Sequence, residues 1–204
     1  AQKWFKERLE YLVNEYGVDG FKFDAGDAGF YVNDVVSFNA GIPNDNTYYF
    51  AQIGLDYPLN EYRASWKMAG LPLAQRLRDK THQWSDLRKL IPDQMSQSLM
   101  GYAYTCPDMI GGGEYQSFLH GAVIDEELIV RSAQVHALMP MMQFSVAPWR
   151  VLSKKNADIC LKMSKLHEEF GGHILTLAKE ASKSGEPIVK PMELAFPGNG
   201  YETI

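Results

Sequence analysis

The sequence predicts an α/β fold built on parallel strands, and three observations predict it. Helical and strand-like apolar patterns alternate along the 204 residues, the strand runs open into loops rich in acids and arginines, and no internal repeat or charge block interrupts them. In such folds the working side chains project from loops at the C-terminal ends of strands.

From 4 to 16 the apolar residues Trp4, Phe5, Leu9, Leu12, Val13 and Tyr16 keep helical spacing, and Gly17 supplies the residue that tolerates positive φ at a helix end. Gly20-Phe21-Lys22-Phe23-Asp24 reads as a buried strand opening into the loop Ala25-Gly26-Asp27. The Pro/Asn/Gly-rich stretch 41–46 reads as an excursion in a long loop. Strand patterns follow at 58–62, 71–77, 101–105 and 187–192, and helical patterns at 84–99, 125–142, 154–169 and 173–183. Five strands against the eight of a closed barrel imply a partial TIM (β/α)8 barrel, about strands 4 to 8. The chain begins with Ala and enters a helix at once, so the expectation is a fragment of a longer enzyme.

Composition narrows the partners. With 46% hydrophobic and 22% charged residues the chain can bury a core, which excludes disorder. A formal charge of -5 gives no electrostatic reason to approach nucleic acid or anionic lipid. No apolar run approaches the roughly 18 residues of a bilayer span, so a soluble chain with no membrane span is expected and its compartment is left unassigned. Cys106 and Cys160 stand far apart, supporting neither a disulfide framework nor a paired-cysteine zinc site. His167 and His173 are six apart and do not share a helix face, so a surface helix is expected there rather than a metal site. Met139-Pro-Met-Met142 reads as adaptable packing at a helix end, and Gly111 to Gly113 lacks the dinucleotide fingerprint. No metal and no cofactor is expected.

Two acids stand where chemistry is expected. Asp24 closes one strand and Asp79 follows another, so in a barrel both would face one pocket. Retaining glycosidases place two carboxyls about 5 to 5.5 Å apart, one attacking the anomeric carbon and the other protonating the leaving oxygen. A single aspartate of this type is more often a solvated loop residue or a helix cap, and spacing has to decide. Two other classes stay open: a divalent-metal barrel enzyme with Asp24, Asp27 and Asp108 as oxygen ligands, and a sugar-binding descendant without catalysis.

Spacing favours the first reading. The stretch Gly20-Phe-Lys-Phe-Asp-Ala-Gly-Asp27 resembles the nucleophile motif of glycoside hydrolase family 31, with Lys22, Asp24, Gly26 and Asp27 on its Lys-x-Asp-x-Gly-acid pattern. Arg63 lies sixteen positions before Asp79, matching the family's spacing between an arginine and the acid/base aspartate. The family's order continues through Trp84-Ser-Asp-Leu87, Leu90-Ile-Pro92, and Gly101 to Cys106-Pro-Asp108-Met-Ile-Gly111-Gly112. Gly185-Glu-Pro-Ile-Val-Lys-Pro-Met-Glu-Leu-Ala-Phe-Pro197 resembles its last barrel strand. Three departures, Leu77-Arg78-Asp79-Lys80, Pro107 to Gly113 and Gln143-Phe144-Ser145, resemble the subgroup that contains α-galactosidases.

The resemblance implies a retaining α-glycosidase acting on α-linked carbohydrate, α-galactosides first and α-glucosides or α-xylosides as alternatives, by double displacement without a cofactor. It implies Asp24 as nucleophile and Asp79 as acid/base, with Arg63 and Asp108 as sugar-hydroxyl ligands and Lys22 and Trp66 as secondary substrate-binding residues. Lys22 would keep Asp24 ionised, whereas Arg78 and Lys80 would lower the pKa of Asp79 unless they point away or are paired. Residues 1–192 are expected to form the C-terminal part of the catalytic barrel, and 193–204 to begin a connection to a β-sandwich. The N-terminal barrel half and the sandwich would lie elsewhere in a parent chain.

Overall fold

The computed structural model describes residues 2–32, 34–119 and 122–201, and its contacts divide the chain into two compact units, Ala1–Arg76 and Leu77–Ile204. In the first, α1 (Gln2–Tyr16) ends on Gly17 at φ 65°, whose N–H donates to Val13 O at 3.0 Å. Strands β1 (Gly20–Phe23), β2 (Leu59–Tyr62) and β3 (Ala74–Arg76) pair in parallel, with Glu61 of β2 opposite Lys22 on one side and Ala74 on the other. The parallel pairing is the one expected from the alternating pattern.

Helix α2 (Pro43–Gly54) joins β1 to β2, where the sequence suggested a loop. Pro43 fills the first helical position, where no N–H is needed, and Asp45 Oδ2 accepts the Ile42 N–H at 2.9 Å. The helix packs closely on the sheet. Phe23 stacks on Tyr62 with ring centroids 4.9 Å apart, and the buried Tyr62 hydroxyl accepts the Gly54 N–H at 2.6 Å. A Cβ at Gly54 would stand 2.2 Å from that hydroxyl, so this approach requires glycine.

The second unit contains α3 (Trp84–Leu99), β4 (Thr105–Cys106), β5 (Met109–Ile110), α4 (Glu126–His136), β6 (Gln143–Phe144), α5 (Pro148–Val151), α6 (Lys154–Ser184) and α7 (Met192–Ala195). β5 and β6 pair in parallel, and α4 and α6 bury Ile110, Ile129, Val130, Ala133 and Cys160 in one apolar cluster, with Met142 packed against it. The methionine run therefore packs as expected.

Three expectations are corrected here. Helix α6 runs unbroken through Gly171 and Gly172, where two helices were expected, and stops at Gly185 with φ 76°. Residues 187–191 form no strand, because Pro187 and Pro191 remove donors, and the Ile188 N–H reaches across to Ala103 O at 3.4 Å. The helix expected over 125–142 ends at His136, leaving β6 free to pair. Residues 202–204, part of the expected connection, lie outside the described residues. Among the described residues no helix is long and apolar enough to cross a membrane.

Candidate active site

In the first unit the loop after β1 is shaped by two successive residues at positive φ, Ala25 at 64° and Gly26 at 79°. A Cβ on Gly26 would meet the Phe50 ring at 2.3 Å, and Gly26 O accepts the Thr47 hydroxyl at 2.7 Å. This tight turn presents Asp24 and Asp27 to the same arginine. Arg63 Nη1 lies 3.2 Å from Asp24 Oδ1 and Nη2 lies 2.8 Å from Asp27 Oδ2. Arg63 is itself fixed, since its carbonyl accepts from Gln75 Nε2 at 2.8 Å and the Gln75 side-chain oxygen accepts from Ser65.

A second guanidinium, which the motifs did not flag, completes the cluster. Arg76 Nη2 lies 2.7 Å from Asp24 Oδ1, and Arg76 Nε lies 2.9 Å from Glu61 Oε1. The Arg76 and Glu61 side chains are 2% and 7% exposed, and each has a second counterion, Asp24 for Arg76 and Lys22 for Glu61, so the buried charges are compensated as a chain rather than as one pair. Lys22 was expected to serve Asp24, but its ammonium pairs with Glu61 at 3.1 Å, and the two arginines are the cations recorded on Asp24. Three cations thus face three carboxylates. The Asp24 side chain remains 61% exposed, and Trp66 follows on the loop after β2 at 40% exposure.

In the second unit Asp79 sits on a loop held at many points. The Lys80 N–H donates to Asp108 Oδ2 at 3.1 Å and Lys80 O accepts from Glu114 N at 3.1 Å. Asp86 Oδ2 accepts from both the N–H and the hydroxyl of Thr81 at 2.8 Å. Burial alone would raise the Asp86 pKa, yet these Thr81 bonds with Arg78 and Lys80 bring it below the usual carboxylate value. His82 Nδ1 lies 2.8 Å from Gly111 O and its Nε2 accepts the Asp125 N–H at 2.9 Å, which assigns the ring proton to Nδ1.

The charges beside Asp79 have partners of their own. Arg78 Nη2 pairs with Asp86 at 3.3 Å, and Lys80 Nζ pairs with Asp93 at 3.0 Å. Asp79 itself is partly buried.

Asp108 is fully buried at φ 70°, and its carboxylate packs so closely on Gly113 that a Cβ there would fall 2.4 Å from Oδ2. Its position makes it an anchor for the Asp79 loop. Gly112, at φ 111°, would drive a Cβ to 2.8 Å from Lys80 O, so the glycine run serves close backbone packing. Cys106 is buried, and Trp84 is half-buried with Nε1 donating to Asp125 Oδ2 at 2.8 Å. Among the described residues no group of three His, Cys, Asp or Glu side chains is placed to hold a metal ion, and the Asp24 and Asp27 carboxylates face guanidinium groups.

The geometry can be set against known proteins. No protein-family profile matches the chain. It is 32% identical over 209 residues to the myogenesis-regulating glycosidase of Mus musculus, covering 98% of this chain and 29% of that protein. It is 29% identical to the SITS-binding protein of Tetronarce californica with the same coverage, and 24% identical to a 1,3-alpha-isomaltosidase of Kribbella flavida over 94% of this chain and 29% of that protein. A GH31 family sulfoquinovosidase from E. rectale, solved with an aza-sugar inhibitor, superposes with a TM-score of 0.73 at 19% identity over 100% of this chain and 32% of its own. The chain thus spans less than a third of the length of these proteins. The likenesses in sequence are thus to glycosidases among the relatives, and the likeness in fold is to a GH31 family enzyme.

Proposed function

We propose that this chain carries the catalytic acids of a retaining α-glycosidase, within a (β/α)8 barrel to which residues 1–192 contribute about strands 4 to 8 and from which 193–204 lead away. The observation that carries the reading is the Asp24 carboxylate at the end of β1, exposed on one side and held by Arg63 and Arg76 on the other. A carboxylate so held stays in one orientation while facing a ligand. The glycosidase among the relatives supports the same class.

The chemistry follows from the two acids. An Asp24 oxygen bonds to the anomeric carbon as the glycosidic C–O bond breaks, and the leaving oxygen keeps the bonding pair and takes a proton from Asp79. Water then gives a proton to the Asp79 carboxylate and attacks the same carbon, releasing Asp24 and a sugar of unchanged anomeric configuration. Arg63 supplies charged donors beside the ring, Trp66 and Lys22 flank it, and Asp108 contributes by fixing the Asp79 loop or through a sugar hydroxyl.

For the sugar, the departures around Asp79, Asp108 and Gln143 favour α-galactosides. The isomaltosidase relative equally favours an α-glucoside. The test is a panel of 4-nitrophenyl α-galactoside, α-glucoside and α-xyloside with the full-length protein, read for rate and, by NMR, for the anomer first formed. Turnover lost in Asp24→Ala with a retained α product supports the reading. Inversion, or normal turnover in that variant, overturns it.

A further inference from the structure

Arg76, like Glu61 beside it, is a charged residue of the first unit buried away from any ligand. Its side chain is 2% exposed, yet it touches the most exposed carboxylate of the cluster. A guanidinium is planar and rigid, so fixing one edge aims the other. Here Nε lies 2.9 Å from Oε1 of Glu61, a buried residue of the central strand, as a close ion pair rather than an aligned hydrogen bond, and Nη2 donates to Asp24 Oδ1 at 2.7 Å. Arg63 meets the same oxygen from its own loop while its other nitrogen holds Asp27. Among the described residues, both ion pairs of Asp24, to Arg63 and to Arg76, fall on Oδ1.

We propose that Arg76 is a positioning residue that locks the Asp24 carboxylate through Oδ1 and leaves Oδ2 as the attacking oxygen. The proposal rests on the reading of Asp24 as the nucleophile. A carboxylate torsion is broad and roughly two-fold, so an unanchored Asp24 samples orientations in which neither oxygen points at the anomeric carbon. Attack requires reacting atoms about 3–3.5 Å apart, and displacement by about 1 Å lowers the rate on the order of 100-fold. Glu61 is the counter-charge beneath Arg76, a carboxylate 7% exposed on a residue of β2.

The experiment uses the full-length protein, 4-nitrophenyl α-galactoside or, where the panel favours it, the α-glucoside, and four variants. Arg76→Lys keeps the charge but, as a point charge, serves one carboxylate at a time. Its expected kcat is about 30- to 100-fold lower, with KM within about threefold of the parent. Glu61→Gln keeps Arg76 but removes this counter-charge, with an expected smaller loss in kcat. Should Arg76→Lys fail to fold, Glu61→Gln/Arg76→Met removes both buried charges together, and its kcat must fall in the same way.

A merely structural ion pair would lower the unfolding midpoint and leave the kcat of folded enzyme unchanged. That result, in Arg76→Lys or in the double variant, overturns the proposal, as does a rise in KM at constant kcat. The fourth variant, Asp24→Asn, separates the two layers. An inactive Asp24→Asn beside a fully active Arg76→Lys leaves Asp24 as nucleophile and removes Arg76. An active Asp24→Asn, or a parent protein that turns over neither substrate, removes both.

Discussion

The backbone N–H of Lys80 donates to the carboxylate of Asp108 at 3.1 Å, which ties the residue following Asp79 to a side chain with no exposure to solvent. The bond spans 28 positions in the chain and joins two loops that carry strand ends. It makes the placement of the proposed acid/base depend on a fully buried side chain.

Asp108→Ala leaves the Lys80 N–H without this acceptor, and the expected loss of stability is about 1–3 kcal/mol by chemical denaturation. Asp108→Asn keeps an acceptor oxygen in the same shape and is expected to lose less. If Asp108 acts by anchoring the loop, kcat falls in both variants with KM nearly constant, whereas a sugar ligand would raise KM. Equal stability of Asp108→Ala and the parent protein would contradict the anchoring account.

His136 predicts a pH dependence. Burial drives its imidazole down to about 4, against the pull of the Ser132 and Asp108 carbonyls, which lie 2.7 and 3.2 Å from its two nitrogens. The unfolded chain titrates near 6.5. Between these values the unfolded state holds a proton that the folded state lacks, so stability is fully present above pH 6.5 and declines as pH falls towards 4. The decline is on the order of 3 kcal/mol. Urea midpoints should drop between pH 6.5 and 4.5 in the parent chain and stay nearly flat in His136→Asn. Asp86 and Asp125, whose pKa values are held below the usual 3.8, lose their contributions only at lower pH and do not share this window. A flat midpoint in the parent would count against a buried neutral imidazole.

The residues legible in the sequence were those whose significance lies in local order. Asp24 and Asp27 close one strand within a short motif, and Arg63 keeps its interval to Asp79. Arg76 and Glu61 were not legible, because a charged residue alternating within a strand run reads as solvent-facing until register is known. Their ion pair is created by the pairing of β1, β2 and β3, a non-local fact. Lys22 was assigned to the nearer acid in sequence, whereas the register sets it opposite Glu61. Helix α2 did leave a signal, Pro43 followed by Asp45, which the surrounding Asn and Gly residues obscured.

Asp125 begins α4, and its carboxylate takes the Leu128 N–H at 3.0 Å and the Trp84 indole N–H at 2.8 Å. Those two bonds, the Leu128 bond foremost, hold its pKa below the usual value. Asp125→Ala removes both acceptors, and the expected cost is about 2 kcal/mol. Asp125→Asn keeps a capping oxygen and should stay within about 0.5 kcal/mol of the parent. Denaturation monitored by tryptophan fluorescence checks both, and an alanine variant as stable as the asparagine one would remove the cap from the account.

Gly171 and Gly172 lie well inside the 31-residue helix α6, and no heavy atom outside the local backbone comes within 4 Å of a Cβ built at either. Mid-helix glycine costs roughly 0.5–1 kcal/mol relative to alanine through the larger freedom of the unfolded chain. The first part of this helix packs its apolar face on α4, where Cys160 and Met163 join the cluster around Ile129 and Ala133, and the helical hydrogen-bond ladder propagates from there through the glycines. Packing of that kind outweighs two weak positions. Gly171→Ala and Gly172→Ala should therefore each stabilise the protein by about 0.5–1 kcal/mol, nearly additively. A break at this point, as the sequence alone suggested, would instead leave at least one glycine needing positive φ, and alanine there would lower the unfolding midpoint.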